Sequence, residues 1–432
     1  MHFGAQMQAA IEVMNDIQDR HRPAGDALGD WGRAHRFAGS GDRAVIGNLV
    51  FDCLRKRRSL AARLGDDAIK LAVLGVAVFL WGRPVDQVVQ ACGHPHGPGS
   101  PSEAEHAALS KTVCDDTEAP AQGDFPDWLE PSLVRAFGAD LTVQTAALSE
   151  RAPVDLRVNG LKADRAKVSR ALARFKLVET PWSPWGLRIA APQAERRYPN
   201  VETEAAHGKG WFEVQDEGSQ VAALLAGAGR GLQVLDLCAG AGGKSLAFAS
   251  AMENKGQVWA YDADRGRLRK IFDRLKRAGA RNVQVLEAGN EQAVQALDGR
   301  MDVVFIDAPC TGTGTWRRRP DAKWRLTAQA LERRQSEQRD VLRTGAPLTK
   351  PGGRLVYVTC SLLPEENQDQ VSAFLRDHPN YRLVPYQSAL SEAAAASQPA
   401  TCSEDALTLT MTPHSHGTDG FYIAVMERSD AP

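Results

Sequence analysis

Apolar positions along the chain change period, and each change predicts a different kind of element. Over 5–92 they recur at helical spacing, as in Ile46, Leu49, Val50, Cys53 and Leu54, which gathers them on one helix face. Arg55-Lys-Arg-Arg58 closes that stretch, where cations suit the negative end of the helix dipole. The most apolar run, 71–81, is well short of the ~20 residues that a membrane-spanning helix needs and predicts a buried helix. Pro84 opens another short helix over 85–92, after which His94-Pro-His-Gly-Pro-Gly-Ser-Pro-Ser102 breaks the pattern as a loop. A domain boundary is expected between that loop and Asp124, and His94 with His96 reads as solvated rather than metal-binding.

The next region opens with Phe125-Pro-Asp-Trp-Leu129. It alternates as a strand over 154–158, turns helical over 166–176 and returns to a strand near 187–189, the pattern of a small α+β layer. Lys and Arg outnumber acids here, with Arg157, Lys162, Arg165, Lys167, Arg170, Arg174 and Lys176 close to Trp182 and Trp185. Cations interleaved with aromatics suit phosphate contacts and base stacking; a solvated helix face beside two core tryptophans fits equally well. After Trp211-Phe-Glu-Val-Gln-Asp-Glu217 the rhythm becomes strand, glycine-rich turn, helix, strand. Apolar runs at 232–237, 257–261, 283–286, 301–306 and 354–358 predict a doubly wound, mostly parallel α/β sheet. Runs at 407–411 and 421–425, separated by turn-rich 413–420, predict a closing antiparallel hairpin. The only low-complexity piece, 393–396, reads as loop or helix end.

With 432 residues, 43% of them hydrophobic, the chain has room for two or three domains. A formal net charge of -1 gives no overall basic signature, so a nucleic-acid partner has to be met by local patches. Seven cysteines, an odd number without paired spacings, and no secretory pattern at Met1-His2-Phe3 predict free thiols in the cytosol. No C-x-x-C pair or histidine cluster is present, and no metal is expected.

Candidate chemistry concentrates in the second half. Leu235-Asp-Leu-Cys-Ala-Gly-Ala-Gly-Gly-Lys-Ser245 turns a first strand into a helix, so backbone N–H groups at the helix start can face a ligand. A phosphate-binding loop would need glycine at Cys238, and a dinucleotide fingerprint would need a different glycine phase ending in a small residue at Ser245. The reading left is S-adenosylmethionine, supported by Asp262 at the end of the next strand, placed to accept hydrogen bonds from ribose hydroxyls. Asn290, after the third strand, could meet the adenine amino group. Two thiols, Cys310 in Ile306-Asp-Ala-Pro-Cys310 and Cys360 in Val358-Thr-Cys-Ser361, each close a strand-like run. Beside a nucleotide site they suggest pyrimidine chemistry, because cytosine carbon 5 becomes nucleophilic once a thiolate has added to carbon 6. Arg317, Arg318, Arg319, Lys323 and Arg325, directly after the Cys310 loop, read as holding flanking phosphates, with a solvated basic loop as the alternative.

Val214-Gln-Asp-Glu-Gly-Ser219, 235–244, Asp307-Ala-Pro-Cys-Thr-Gly-Thr-Gly314 with Arg318-Arg-Pro-Asp321, Thr359-Cys-Ser361 and Leu363-Pro-Glu-Glu-Asn367 stand in one order. Together they resemble the Rsm/Nop/Sun family of RNA cytosine-5 methyltransferases, nearest its bacterial ribosomal-RNA (RsmB-like) branch. The resemblance implies a helical domain over 1–120, loosely similar to the NusB-like domain of that branch and RNA-binding, a small α+β RNA-binding domain over 125–204 and, over 205–430, a Rossmann-like methyltransferase domain with a mostly parallel seven-stranded sheet. It makes Cys360 the nucleophile, Cys310 the assistant in product release and Asp307 the carboxylate that engages the cytosine edge; separately, a free thiol is only partly ionised at neutral pH, so a positive neighbour such as Lys244 would help form the thiolate. Cys238, Ala239, Gly240, Ala241, Gly242, Gly243, Lys244, Asp262 and Asp307, with Arg267 and Asn290, would hold S-adenosylmethionine. Two positions depart from the family pattern: Ala241 replaces a proline, and Asn290 replaces an acid.

The expected activity is methyl transfer to carbon 5 of a cytosine in RNA, with 16S ribosomal RNA ahead of transfer RNA as substrate, by a cytosolic monomer that uses neither metal nor membrane. The alternatives are a nucleotide hydrolase built on Lys244-Ser245 and a non-catalytic RNA-binding or ribosome assembly factor that retains the fold.

Overall fold

The computed structural model describes residues 1–111, 119–390 and 398–429; the alanine-rich piece at 393–396 and part of the expected boundary region lie outside the described residues. Contacts divide the chain into two units. One comprises Met1–Ala152 with Ala191–Tyr198 and Thr315–Leu326, the other Pro153–Ala190, Pro199–Gly314 and Thr327–Pro432.

In the first unit, helices Phe3–Arg20, Ser40–Arg55, Ile69–Gly75 and Val85–Cys92 bury Met7, Val13, Leu49, Cys53, Leu74 and Val88 in one core. The apolar run expected as one buried helix changes to π geometry over Val76–Leu80. His94 and His96 lie exposed in a loop. No helix among the described residues is long and apolar enough to cross a membrane.

This unit corrects the reading of the basic stretch at 317–325. Arg317 and Lys323 are buried: the Arg55 guanidinium, paired with Asp52 at 2.9 Å, donates to Arg317 O at 3.0 Å. Lys323 Nζ donates to Arg55 O and Ser149 Oγ, each at 3.0 Å. Its ammonium therefore holds interior backbone rather than phosphate, and only Arg319 and Arg325 of the five are exposed. Burial pulls the Lys323 ammonium down to about 7, against the nearby charge of buried Asp124. Between pH 7 and the ordinary lysine range the unfolded chain holds a proton that the folded one has lost, so stability rises with pH across that window. Lys323→Met should flatten the rise. The unfolding free energies of variant and wild type, measured in urea at pH 7 and pH 9, should differ in their pH dependence by about 2 kcal/mol; parallel curves would contradict a neutralised lysine.

The second unit begins with strands β1 (Val154–Val158), β2 (Val178–Glu179), β3 (Gly186–Ile189) and β4 (Phe212–Val214), an antiparallel sheet in the order β2-β3-β1-β4. Two of these, β2 and β4, are too short for alternation to reveal; pairing across the sheet makes them, as Val158 opposite Phe212 shows. Several cations of the expected phosphate track are committed inside the fold. Arg157 is buried, donates to Gln215 Oε1 at 2.6 Å and is pulled down to about 10 by burial. Lys162 donates to Arg277 O at 2.6 Å and half-buried Arg165 pairs with Glu179, whereas Arg174 pairs with Glu204 but stays exposed. Arg170 and Lys176 are exposed. Trp182 packs half-buried against the core of the large sheet, whereas Trp185 is exposed.

The large sheet contains β5 (Gln233–Asp236), β6 (Gln257–Ala260), β7 (Val283–Val285), β8 (Met301–Asp307), β9 (Thr349–Thr359), β10 (Tyr381–Val384), β11 (Leu409–Met411) and β12 (Phe421–Arg428). Its order is β10-β12-β9-β8-β5-β6-β7, with β11 against β12. The strands from β9 to β7 are parallel, and β12 joins β9 antiparallel. Consecutive Val303, Val304, Phe305 and Ile306 are all buried, because a parallel sheet is covered on both faces. The expected hairpin is present as β11 and β12; β10, an edge strand, was not apparent from the hydrophobic pattern. The chain runs from β5 to β6 and β7 on one side and returns to β8 and β9 on the other, so a crevice opens beyond the carboxyl ends of β5 and β8.

Candidate active site

Most of the candidate residues lie at or just beyond the carboxyl ends of β5, β6, β8 and β9. At the end of β5, Asp236 is buried and accepts from Ser245 Oγ at 2.6 Å; burial pushes its carboxyl up to about 7. The turn that follows needs glycine at 242, where φ is 84° and a Cβ would stand 2.4 Å from Ile271 Cγ1. Ala241, where the family pattern has proline, is tied down by Arg274, which donates to Ala241 O at 2.8 Å and pairs with Glu213 at 2.9 Å. Helix Gly243–Ala251 starts here, with Lys244 in its first turn.

After β6, Asp262 is buried and accepts from Gly240 N and Asp264 N, both at 2.8 Å. Arg267 pairs with it at 3.2 Å. Asn290 is placed differently: its Oδ1 accepts from Ala293 N at 3.0 Å, capping helix Glu291–Gln295, and it lines a shallow outer pocket formed by 287–292. The structure does not bring it to the thiols.

The ends of β8 and β9 meet because Asp307 lies opposite Val358 in parallel register. Cys310 and Cys360 follow, and their sulfurs stand 3.4 Å apart. Gly314 N donates to Cys360 O at 2.9 Å, and Gly314 packs so closely on Gly420 that a Cβ there would lie 2.2 Å from Gly420 O. Lys244 Nζ donates to Asp307 Oδ2 at 2.5 Å. Burial by itself would lower the Lys244 ammonium, but the Asp307 carboxylate, the hydrogen bond to it and the charge of Cys360 hold it above its ordinary value. The Cys310 thiol is held well above the usual range by its hydrogen bond to Cys360, by burial and by the charges of Glu366 and Asp307. Cys238 is likewise pushed up by burial and the carboxylates around it.

A second layer holds the two thiol loops, and only part of it left a trace in the sequence. Buried Glu366 accepts from Thr311 N at 2.8 Å, from Thr311 Oγ1 and from Gln338 Nε2 at 2.9 Å, while Gln338 also donates to Pro309 O. Asn367 accepts from Thr359 Oγ1 at 2.5 Å and donates to Ser361 O at 3.0 Å. Glu366 and Asn367 belong to the Leu363–Asn367 motif, to which the sequence alone gives no role. Gln338 comes from helix Ala328–Leu348 and carries no local signal, and neither does Arg334 of the same helix; Arg334 lines the cleft with Gln215, which belongs to the Val214–Ser219 motif.

That cleft, about 350 Å³, is lined by Gly240, Lys244, Asp307, Cys310 and Cys360 among others. A wider cavity of about 900 Å³ shares Cys238, Arg267, Asp307, Pro309 and Arg334 with it and includes Asp262. Among the described residues no group of three or more His, Cys, Asp or Glu could hold a metal ion.

A doubly wound sheet carrying a glycine turn, a strand-end acid and facing thiols around one crevice defines the chain as a methyltransferase with a Rossmann-like fold. A model described as 16S rRNA methyltransferase RsmB/F matches residues 224–427, and one described as the RsmF/B-like ferredoxin-like domain matches 125–195. A probable ribosomal RNA small subunit methyltransferase B of Synechocystis is 33% identical over 98% of this chain and 99% of its own. The crystal structure of PH0851 superposes with a TM-score of 0.75 at 26% identity, covering 98% of this chain and 99% of that one. NSun6 from Pyrococcus horikoshii, solved with SFG, shares the fold with a TM-score of 0.62 at 22% identity over 70% of this chain and 98% of its own. The chain belongs to the RsmB/F family of ribosomal RNA methyltransferases and methylates RNA.

Enzymes of this family take their methyl group from S-adenosylmethionine. The residues present fit that donor: the turn at 238–244 leaves backbone N–H groups at a helix start, and Asp262 lines the wider cavity with acceptor capacity beyond its two backbone contacts.

Proposed function

We propose that the protein methylates carbon 5 of a cytosine in 16S ribosomal RNA through a transient bond between Cys360 and carbon 6. The observation that carries this is the pair of sulfurs 3.4 Å apart beside the Lys244–Asp307 ion pair, all lining one cleft. Other methyl acceptors, such as an exocyclic amine, need no thiol nucleophile.

In this mechanism the Cys360 thiolate, favoured by the neighbouring Lys244 ammonium, adds to carbon 6. Charge then moves toward N3, where the proton shared between Lys244 and Asp307 meets it. Carbon 5 accepts the methyl group that S-adenosylmethionine supplies. Cys310 assists removal of the carbon-5 proton, after which elimination frees Cys360. Asp262, with the turn at 238–244, holds the donor, and Arg267 braces Asp262. The target base must be unpaired or flipped out, since carbon 6 is inaccessible within a stacked helix. We assign substrate binding to 1–120 and 125–204 and the chemistry to 205–430, acting as a monomer in the cytosol.

Bisulfite mapping of ribosomal RNA from cells with and without the gene is the direct test. A cytosine of the small-subunit RNA should lose its protection in the deletion strain and regain it when purified protein and methyl donor are added to that RNA. Methylation confined to a base nitrogen or a ribose oxygen would refute the reading.

A further inference from the structure

The same two sulfurs carry a second consequence: their oxidation does not depend on whether Cys360 adds to a pyrimidine, and its effect on activity rests on that reading. We propose that Cys310 and Cys360 form a reversible oxidation site, which hydrogen peroxide converts into an intramolecular disulfide that silences the enzyme.

The geometry is close to what the bond requires. A disulfide joins sulfurs about 2.05 Å apart, so the observed 3.4 Å leaves roughly 1.4 Å to close. Both residues follow strands that are neighbours in the sheet, and both thiols line an open cleft rather than sitting sealed in the core. Cys310 Sγ is hydrogen-bonded to Cys360 Sγ, so closure exchanges one sulfur–sulfur contact for a bond.

The other described thiols are less suited. Cys53 and Cys92 are buried in the helical core, and burial pushes both thiols up, Cys92 to about 11. Cys402 bonds to the Ser415 hydroxyl. Cys238 lines the same cleft, but burial and the Asp262, Asp236 and Asp307 carboxylates suppress its thiolate.

Chemically, Cys360 reacts first, because it lies within electrostatic reach of the Lys244 ammonium and the thiolate is the reactive form. Its sulfur attacks one peroxide oxygen; the O–O bond breaks, hydroxide leaves and a sulfenic acid remains. The Cys310 sulfur then attacks the Cys360 sulfur, the S–O bond breaks and hydroxide leaves again. The two thiol protons convert both hydroxides to water, so two electrons pass from the thiol pair to one peroxide. The disulfide leaves no nucleophile at 360, and a thiol reductant restores it by exchange.

The test uses the full-length reduced protein treated with hydrogen peroxide, alkylated and analysed by intact mass and peptide mapping. The wild type should lose the mass of two hydrogens and yield a cross-linked peptide pair joining 310 and 360, and dithiothreitol should reverse both changes. Methyl transfer should disappear with the cross-link and return on reduction. Cys310→Ser should instead gain oxygen at Cys360. Added oxygen at Cys360 of the wild type without a cross-link, a cross-link through Cys238, or thiols untouched by peroxide that oxidises free glutathione would each overturn the proposal. The mass readout needs no RNA, so its failure is separable from failure of the cytosine-5 reading.

Discussion

Cys360→Ser should lose methyl transfer by at least about a thousandfold while keeping its fold and its affinity for S-adenosylmethionine. Serine is nearly isosteric, but its hydroxyl is not ionised at neutral pH and is a far poorer nucleophile toward carbon 6 than a thiolate. The hydrogen bonds that shape this loop, Gly314 N to Cys360 O and Asn367 Nδ2 to Ser361 O, do not involve the sulfur and survive the change. A loss in the rate of a single turnover with unchanged donor binding, measured by calorimetry, is the signature of an interaction that acts only in the chemical step. A variant that transfers methyl at a tenth of the wild-type rate or better would remove the nucleophile from the mechanism.

Cys310→Ser should have the opposite appearance, with RNA accumulating on the protein instead of failing to react. In the proposed mechanism the adduct between Cys360 and carbon 6 breaks down only after the carbon-5 proton has left, and Cys310, whose sulfur stands 3.4 Å from that of Cys360, is the group assigned to assist its removal. In the free enzyme the Cys310 thiol stays protonated because of its hydrogen bond to Cys360, its burial and the charges of Glu366 and Asp307. Bonding Cys360 to carbon removes the first of these, which makes the Cys310 sulfur able to act at the step that needs it. A denaturing gel of the variant with labelled substrate RNA should show a slow, detergent-resistant band holding a large share of the protein, with turnover slowed roughly a hundredfold or more. Slow turnover without that band would deny Cys310 its part in release.

Much of this site is legible in one dimension because strand ends are. A glycine turn after an apolar run, an acid after the next run and a thiol after each of two later runs place four groups at carboxyl ends of parallel strands before any coordinate is known, and the crevice of such a sheet opens there. The support behind them is not legible. Gln338 lies 28 residues from Glu366 along the chain, in a helix whose local pattern is that of any amphipathic segment, and only folding puts its amide between Pro309 O and the Glu366 carboxylate. Asn290 is a related case: its place after β7 follows from the sequence, and folding adds that its oxygen caps the next helix.

Arg157 and Lys323 look in sequence like solvent-facing cations, interchangeable with Arg170 or Arg319, and the fold buries the first two while exposing the others. Composition counts charge; only tertiary packing decides whether a long aliphatic stem carries its charge outward or inward.

The order of the motifs and the period of the apolar runs therefore determined the class of sheet, its strand ends and the residue types gathered around the crevice, because both follow from local geometry that repeats every two or four residues. Which cations stay in water, which strands exist through pairing alone and how near the two sulfurs approach were decided by contacts between segments remote in the chain, whose energies no local window contains.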